Sequence, residues 1–225
     1  LAIEDSRIQN GLRGIRMINS QVTISNTLFT GFNSATYAPL HVEGSDSLLT
    51  MSNNTFTGNY YNRVLLLAGA MNANEFTFAA QAELEAYWLQ GDITISAGHT
   101  LVVEPGVTVM ANNSSEIKIL GQMEAIGTPT QPITFTSDNT TWVGLVFDGS
   151  AGQGSGNLQH VVAERGGGSS TLGYNLFNIQ AVNLANAPLV IEDSRIQNGT
   201  RGLYIRESQV VVSNTLFTGF DSAGT

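Results

Sequence analysis

The acidic side chains of this 225-residue chain stand mostly alone: Glu43, Asp46, Asp92, Glu104, Glu116, Glu124, Asp138 and Asp148. Cleaving a glycosidic bond by hydrolysis needs two carboxylates about 5–10 Å apart. Eliminative cleavage needs acidic residues that hold calcium and a basic group that takes the proton. The adjacent acidic pair, Glu4-Asp5, returns as Glu192-Asp193. On a strand, two neighbouring side chains point to opposite faces, so neither pair makes a catalytic dyad. His41, His99 and His160 lack the close spacing of a zinc site. With no cysteine there is no thiolate nucleophile or ligand. The glycine runs Gly152-Gln153-Gly154-Ser155-Gly156 and Gly166-Gly167-Gly168 lack the Lys-Ser/Thr that completes a phosphate-binding loop; they read as flexible loops protruding from the fold. No catalytic residue, cofactor or metal ligand is assigned, and calcium has no carboxylate cluster to hold it. Among the aromatic residues that could stack on a sugar, Trp88, Trp142, Tyr37 and Tyr174 are weaker candidates than Tyr60 and Tyr61. These two follow Thr57-Gly58-Asn59 at a turn and are the candidate glycan contact.

Composition narrows the partners. The net charge is −9, with a single lysine (Lys118) and dispersed arginines, so no basic surface exists to neutralise nucleic-acid phosphates. No apolar run reaches the ~18 residues of a membrane-spanning helix.

The elements that carry these residues follow from a repeat. Residues 1–35, LAIEDSRIQNGLRGIRMINSQVTISNTLFTGFNSA, return at 189–223 as LVIEDSRIQNGTRGLYIRESQVVVSNTLFTGFDSA, an offset of 188. A shorter period runs inside: Ile3-Glu4-Asp5-Ser6-Arg7-Ile8, Ile24-Ser25-Asn26-Thr27-Leu28-Phe29, Met51-Ser52-Asn53-Asn54-Thr55-Phe56. Short alternating strands flank an Asn or Asp that tolerates left-handed backbone, once every twenty-odd residues. This pattern predicts an all-β, right-handed parallel β-helix with coils of about 20–27 residues. Asp5, Asn26, Asn53, Asp193 and Asn214 are expected to form a ladder bonding the backbone of adjacent coils. Ile8, Phe29 and Phe56 should stack as an interior column. About eight coils would make one 188-residue unit, or roughly 40 Å of rod at the ~4.8 Å strand spacing.

The stretch Gly91-Asp92-Ile93-Thr94-Ile95, Glu104-Pro105-Gly106-Val107, Gly127-Thr128, Pro132-Ile133-Thr134-Phe135 and Trp142-Val143-Gly144 resembles the opening coils of pectate-lyase-like parallel β-helices of bacterial secreted and surface proteins. The resemblance implies a solenoid of the non-catalytic type and places Trp142 in the core or at its rim. The paired Asp and Asp-His clusters of pectin-degrading relatives have no counterpart here. Residues 79–90, AAQAELEAYWLQ, break the strand pattern. They are expected to form a short covering segment with Ala82, Leu84 and Trp88 on one helical face. This divides the chain into 1–80, the last coils of one unit; 81–90, the junction; and 91–225, the first and central coils of the next. Both ends read as interrupted coils, so the expected molecule is a longer tandem array. Its expected role is a structural or adhesive module of an extracellular, cell-surface rod or filament. Its partners are neighbouring copies of itself, end to end or side by side, and surface glycans. The alternative is a carbohydrate-binding or polysaccharide-degrading β-helix.

Overall fold

The computed structural model describes residues 1–71, 75–138, 141–168, 177–185 and 187–220. Runs rich in Val, Ile, Thr and Phe fit a pleated, half-buried surface, and here they form short strands laid three to a turn of a solenoid. Every ladder pairing among the described residues is parallel. The helical element described is a single 3-10 turn, Gly149–Ala151. About eight coils stack along the axis.

Each strand turns alternate side chains into a continuous core. Phe29 and Phe56 are fully buried, with ring centroids 4.7 Å apart and planes 6° from parallel. Ile8 packs against the same core, so the expected interior column holds. Coil length is less uniform than the 20–27 residues expected. Ile3 pairs with Ile24 and Ile24 with Met51, but Met123 pairs with Gly156 and Gly156 with Leu189.

The expected corner residues are left-handed: Asp5 at φ 48°, Asn26 at 48°, Asn53 at 53°, Asp193 at 48° and Asn214 at 45°. Their role differs from the one expected. The corner side chains of Asp5, Asn26 and Asn53 are exposed, and the bond to the next coil is made by the backbone. Asp5 N donates to Ser25 O at 3.2 Å, Asn26 N to Ser52 O at 3.1 Å and Asp193 N to Ser213 O at 3.2 Å. Asn26 Nδ2 donates to Asp5 Oδ1 at 3.1 Å, joining two corner side chains. The buried polar ladder sits one residue further on. Asn54 Oδ1 accepts from Thr27 N and its Nδ2 donates to Ile24 O, both at 2.9 Å. Ser194 Oγ accepts from Val161 N at 3.0 Å. Asn and Asp at the corner answer to φ; Thr, Asn and Ser after it answer to burial.

The covering segment expected at 81–90 is also corrected. Ala86–Ile95 is a strand, paired on one side with Arg63–Met71 and on the other with Thr108–Ala111 and Glu116–Ile119. Ala82 bridges Thr55. Ala86, Tyr87, Trp88 and Leu89 are all buried, because loops cover the outer side as well as the inner. No helix forms, and the coil stack runs on without a cap.

Candidate functional site

One long ladder positions the candidate glycan contact. It runs from Ile15–Ile18 through Leu40–Glu43, residues 63–67 and 86–90, Thr108–Ala111, Ile133–Ser137 and Val161–Glu164 to Arg195–Gln197. Inward residues fill the core, so Arg16, His41, Leu65, Trp88 and Met110 align on the outer side. Over this column fold the segments 33–39 and 58–62.

Tyr60 leaves the corner after Thr55–Thr57, with its N–H donating to Phe32 O at 2.8 Å. It is 54% exposed, whereas Tyr61 is half-buried. The rings meet edge to face at 4.7 Å, and Tyr61 lies 5.7 Å from the Trp88 ring. The Arg63 guanidinium sits 4.3 Å from the Tyr61 centroid and 5.3 Å from that of Trp88, an attractive placement over the ring quadrupole. Arg63 also pairs with Glu85 at 3.2 Å, and Trp88 Nε1 donates to Asp138 Oδ2 at 3.1 Å. The result is a neutralised aromatic platform with one open ring, Tyr60. The two tyrosines do come together, as expected from their position. Arg63, Trp88, Glu85 and Asp138 were missed as their neighbours; Leu40 pairs with Val64 and Leu65 with Trp88, offsets of 24 and 23 residues that differ from the 21 and 27 read from the sequence.

Beside the platform, Arg13 lies 3.7 Å above the Tyr37 ring, and Tyr37 is 5.6 Å from His41. His41 is buried, and its Nε2 accepts from Ala38 N at 3.1 Å. Burial, followed by the charges of Arg13 and Arg16, pushes its pKa down to about 4. His41 is therefore a neutral acceptor that fastens the 33–39 segment. His160 occupies a corner at φ 49°, and His99 closes a turn by donating its N–H to Ser96 O at 3.1 Å. Among the described residues no group of three or more His, Cys, Asp or Glu is placed to hold a metal.

Other chemistry-bearing residues serve the fold. Burial alone would raise the Asp148 carboxyl, but hydrogen bonds from Ser150 and Lys118 outweigh it and hold the group below its ordinary value; the Lys118 ammonium is 3.1 Å away. Trp142 is buried, and its Nε1 donates to Glu164 O at 2.8 Å. Gly166–Gly168 were expected as a protruding flexible loop. Instead Gly166 and Gly167 are buried, with Gly167 N and Gly168 N both donating to Trp142 O. Tyr174 lies outside the described residues. No helix among the described residues is long and apolar enough to cross a membrane.

The expected turn at Glu104-Pro105-Gly106-Val107 is present. Val107 N donates to Glu104 O at 3.3 Å, and Gly106 has φ 81°, which matches Pro then Gly at the centre of a type II turn. Residues 69–175 match the family model of a pectate-lyase-like beta helix domain. The pectate-lyase-like match opens at Gly69, where the strand Arg63–Met71 bends onto a further face, and runs through the coils that carry the turn, Trp142 and the Asp148–Lys118 pair. No curated protein and no solved structure matches the chain.

Proposed function

We propose that this chain is a structural module of a long extracellular surface protein, in which 188-residue units add coil to coil as a rigid β-helical rod. The observation that supports this most is the duplicated segment lying on one uninterrupted stack. Between the two copies the ladder from Ile15–Ile18 to Arg195–Gln197 has no cap and no break. Neighbouring copies of the unit are the first partners of such a rod, since stacked repeats bury the faces that a single coil leaves open. Electron microscopy of the native material tests the reading: straight rods about 20–30 Å wide are expected, since stacked layers lie ~10 Å apart. Isolated globular particles without an axial repeat would overturn it.

The aromatic platform supports a second role, carbohydrate binding. Tyr60 is 54% exposed and packs on Tyr61, whose ring carries the Arg63 guanidinium, a combination that suits an aromatic contact to a sugar with a polar group to orient it. Titration with neutral and anionic oligosaccharides should give weak binding that Tyr60→Ala removes without changing thermal stability. Binding that survives Tyr60→Ala would place the contact elsewhere. Incubation with polygalacturonate or alginate should release no unsaturated product. Turnover abolished by a single carboxylate substitution would overturn the non-catalytic reading.

A further inference from the structure

A small apolar cluster lies outside the main core, on the outer side of the ladder that joins Leu40–Glu43 to residues 63–67 and 86–90. Ala38, Leu65 and Trp88 are buried in it, and Tyr61, Leu67 and Met110 pack around them. Apolar side chains on an outer sheet face gain from a cover that excludes water, and the segment 33–39 supplies part of it through Ala38.

This cover is tied down at its two ends. Asn33 N donates to Gly11 O at 3.3 Å, and Pro39 O accepts from Gly14 N and Ile15 N, both at 2.9 Å. Between those anchors the backbone turns on itself: Thr36 N and Tyr37 N both donate to Ser34 Oγ, at 3.2 and 3.1 Å. Among the described residues, one hydrogen bond joins 34–38 to the strand beneath, from Ala38 N to Nε2 of the buried His41 at 3.1 Å. Ring contacts complete the attachment, with Tyr37 5.6 Å from His41 and the Arg13 guanidinium 3.7 Å above Tyr37.

We infer that His41 is a proton-operated latch: a proton on its Nε2 releases 34–38 and opens the Leu65–Trp88 cluster to water. The reason is geometric. A lone pair on Nε2 holds the Ala38 N–H; once protonated, that nitrogen is a donor facing a donor, and the bond is lost. Buried donors without an acceptor are costly, and 34–38 has no second hydrogen bond to keep it in place.

The charged groups around the ring act in the same sense. Arg13, from the connection before Ile15–Ile18, and Arg16, from that strand, repel a charged imidazole, while Glu43 on the histidine's own strand attracts it. Glu43 is already engaged, with Arg16 Nε donating to its Oε2 at 2.9 Å. The strand on the other side places Leu65 beside His41, and its charged residue, Arg63, pairs with Glu85. Released, the imidazole titrates as an ordinary histidine near 6.5; held, it refuses the proton until about pH 4. The open form is therefore favoured as pH falls below 6.5, by about 100-fold at pH 4 relative to pH 7. On the carbohydrate reading, opening adds the Trp88 ring to the Tyr60–Tyr61 platform, so sugar binding would strengthen in acid; the latch itself needs no ligand.

Amide hydrogen exchange followed by NMR from pH 7 to pH 4 tests the latch, each rate being divided by that of an unstructured peptide at the same pH. Protection of the Ala38 amide should fall about 100-fold, while residues 64–66 and 117–119 keep theirs. Acrylamide should come to quench one of the two tryptophans over the same range. His41→Gln, which takes no charge, should make Ala38 protection independent of pH. Should glutamine fail to hold Ala38 at pH 7, the wild-type contrast between Ala38 and 64–66 still decides. Ala38 protection that is unchanged at pH 4, or that falls together with 64–66 and 117–119, would overturn the latch. Absence of sugar binding at every pH would overturn the carbohydrate reading and leave the exchange result standing.

Discussion

The two copies of the repeated segment are alike at most of their corners and differ in what they touch. Five left-handed positions match: Asp5 and Asp193 at 48°, Asn10 and Asn198 at 63° and 50°, Asn19 and Glu207 at 45° and 49°, Asn26 and Asn214 at 48° and 45°, Gly31 and Gly219 at 72° and 66°, whereas Gly11 at 114° has no positive-φ counterpart in Gly199. Even Glu207, a poor residue for this conformation, follows Asn19. The neighbours, however, change. Phe29 of the earlier copy lies between Ile8 and Phe56, whereas its equivalent Phe217 pairs with Ile196. Ile8 heads a face that closes at Ala82, while its equivalent Ile196 continues a ladder that reaches back to Ile15. The backbone of a corner thus belongs to its own residues, while the ladders that the second and third strands join are set upstream by 63–95.

The largest expected effect is on burial. Phe29→Ala should cost about 3–5 kcal/mol in urea unfolding, as for other buried aromatics; a loss below about 1 kcal/mol would mean that the Phe29–Phe56 column is not packed. Next is the bend within Ala86–Ile95. Gly91→Val, with φ 143° and an added Cβ 2.7 Å from that of Ala68, should lose about 2–4 kcal/mol. Gly98→Ala, where the added carbon meets nothing within 4 Å, should lose about 1–2 kcal/mol, from the left-handed backbone alone.

His41 supplies a pH test. Its pKa in the fold, about 4, lies below the ordinary 6.5. The unfolded chain therefore takes up a proton that the folded chain refuses. Stability from this group is complete above about pH 6.5 and is lost as pH falls towards 4, by roughly 2–3 kcal/mol. His41→Gln, which keeps an acceptor oxygen, should flatten the stability profile across that window, read by thermal unfolding. A slope unchanged by the substitution would mean that other groups carry it. The smallest effect separates backbone from side chain at the corners. Asn26→Leu and Asn214→Leu should each lose about 1–2 kcal/mol, and Asn26→Gly almost nothing, since glycine tolerates positive φ. A large loss with glycine would restore a ladder role to the Asn26 side chain.

Much of this was legible in the sequence, for stated reasons. Corner residues announced themselves because positive φ favours Asn, Asp and Gly, and the Phe29–Phe56 column because strand alternation repeats with the coil. The buried ladder was read one residue early: a corner Asn and a buried Asn look identical in a string, as Asn53 and Asn54 demonstrate side by side. Residues 86–89 were misread because a strand buried on both faces has no alternation to display. The aromatic platform and the change of face were hidden for another reason. Tyr61, Arg63, Trp88 and Asp138 meet only through coil register, and register across 63–95 depends on a bend that two glycines permit but do not announce.

The most direct measurement is amide hydrogen exchange across the junction. If 63–95 continues the stack, the amides of residues 64–66 and 87–89 are paired between neighbouring coils and should exchange as slowly as those of 117–119 in the regular coils beyond. Fast exchange at 87–89, with slow exchange preserved on both sides, would contradict a continuous rod and restore a covering segment between two separate units.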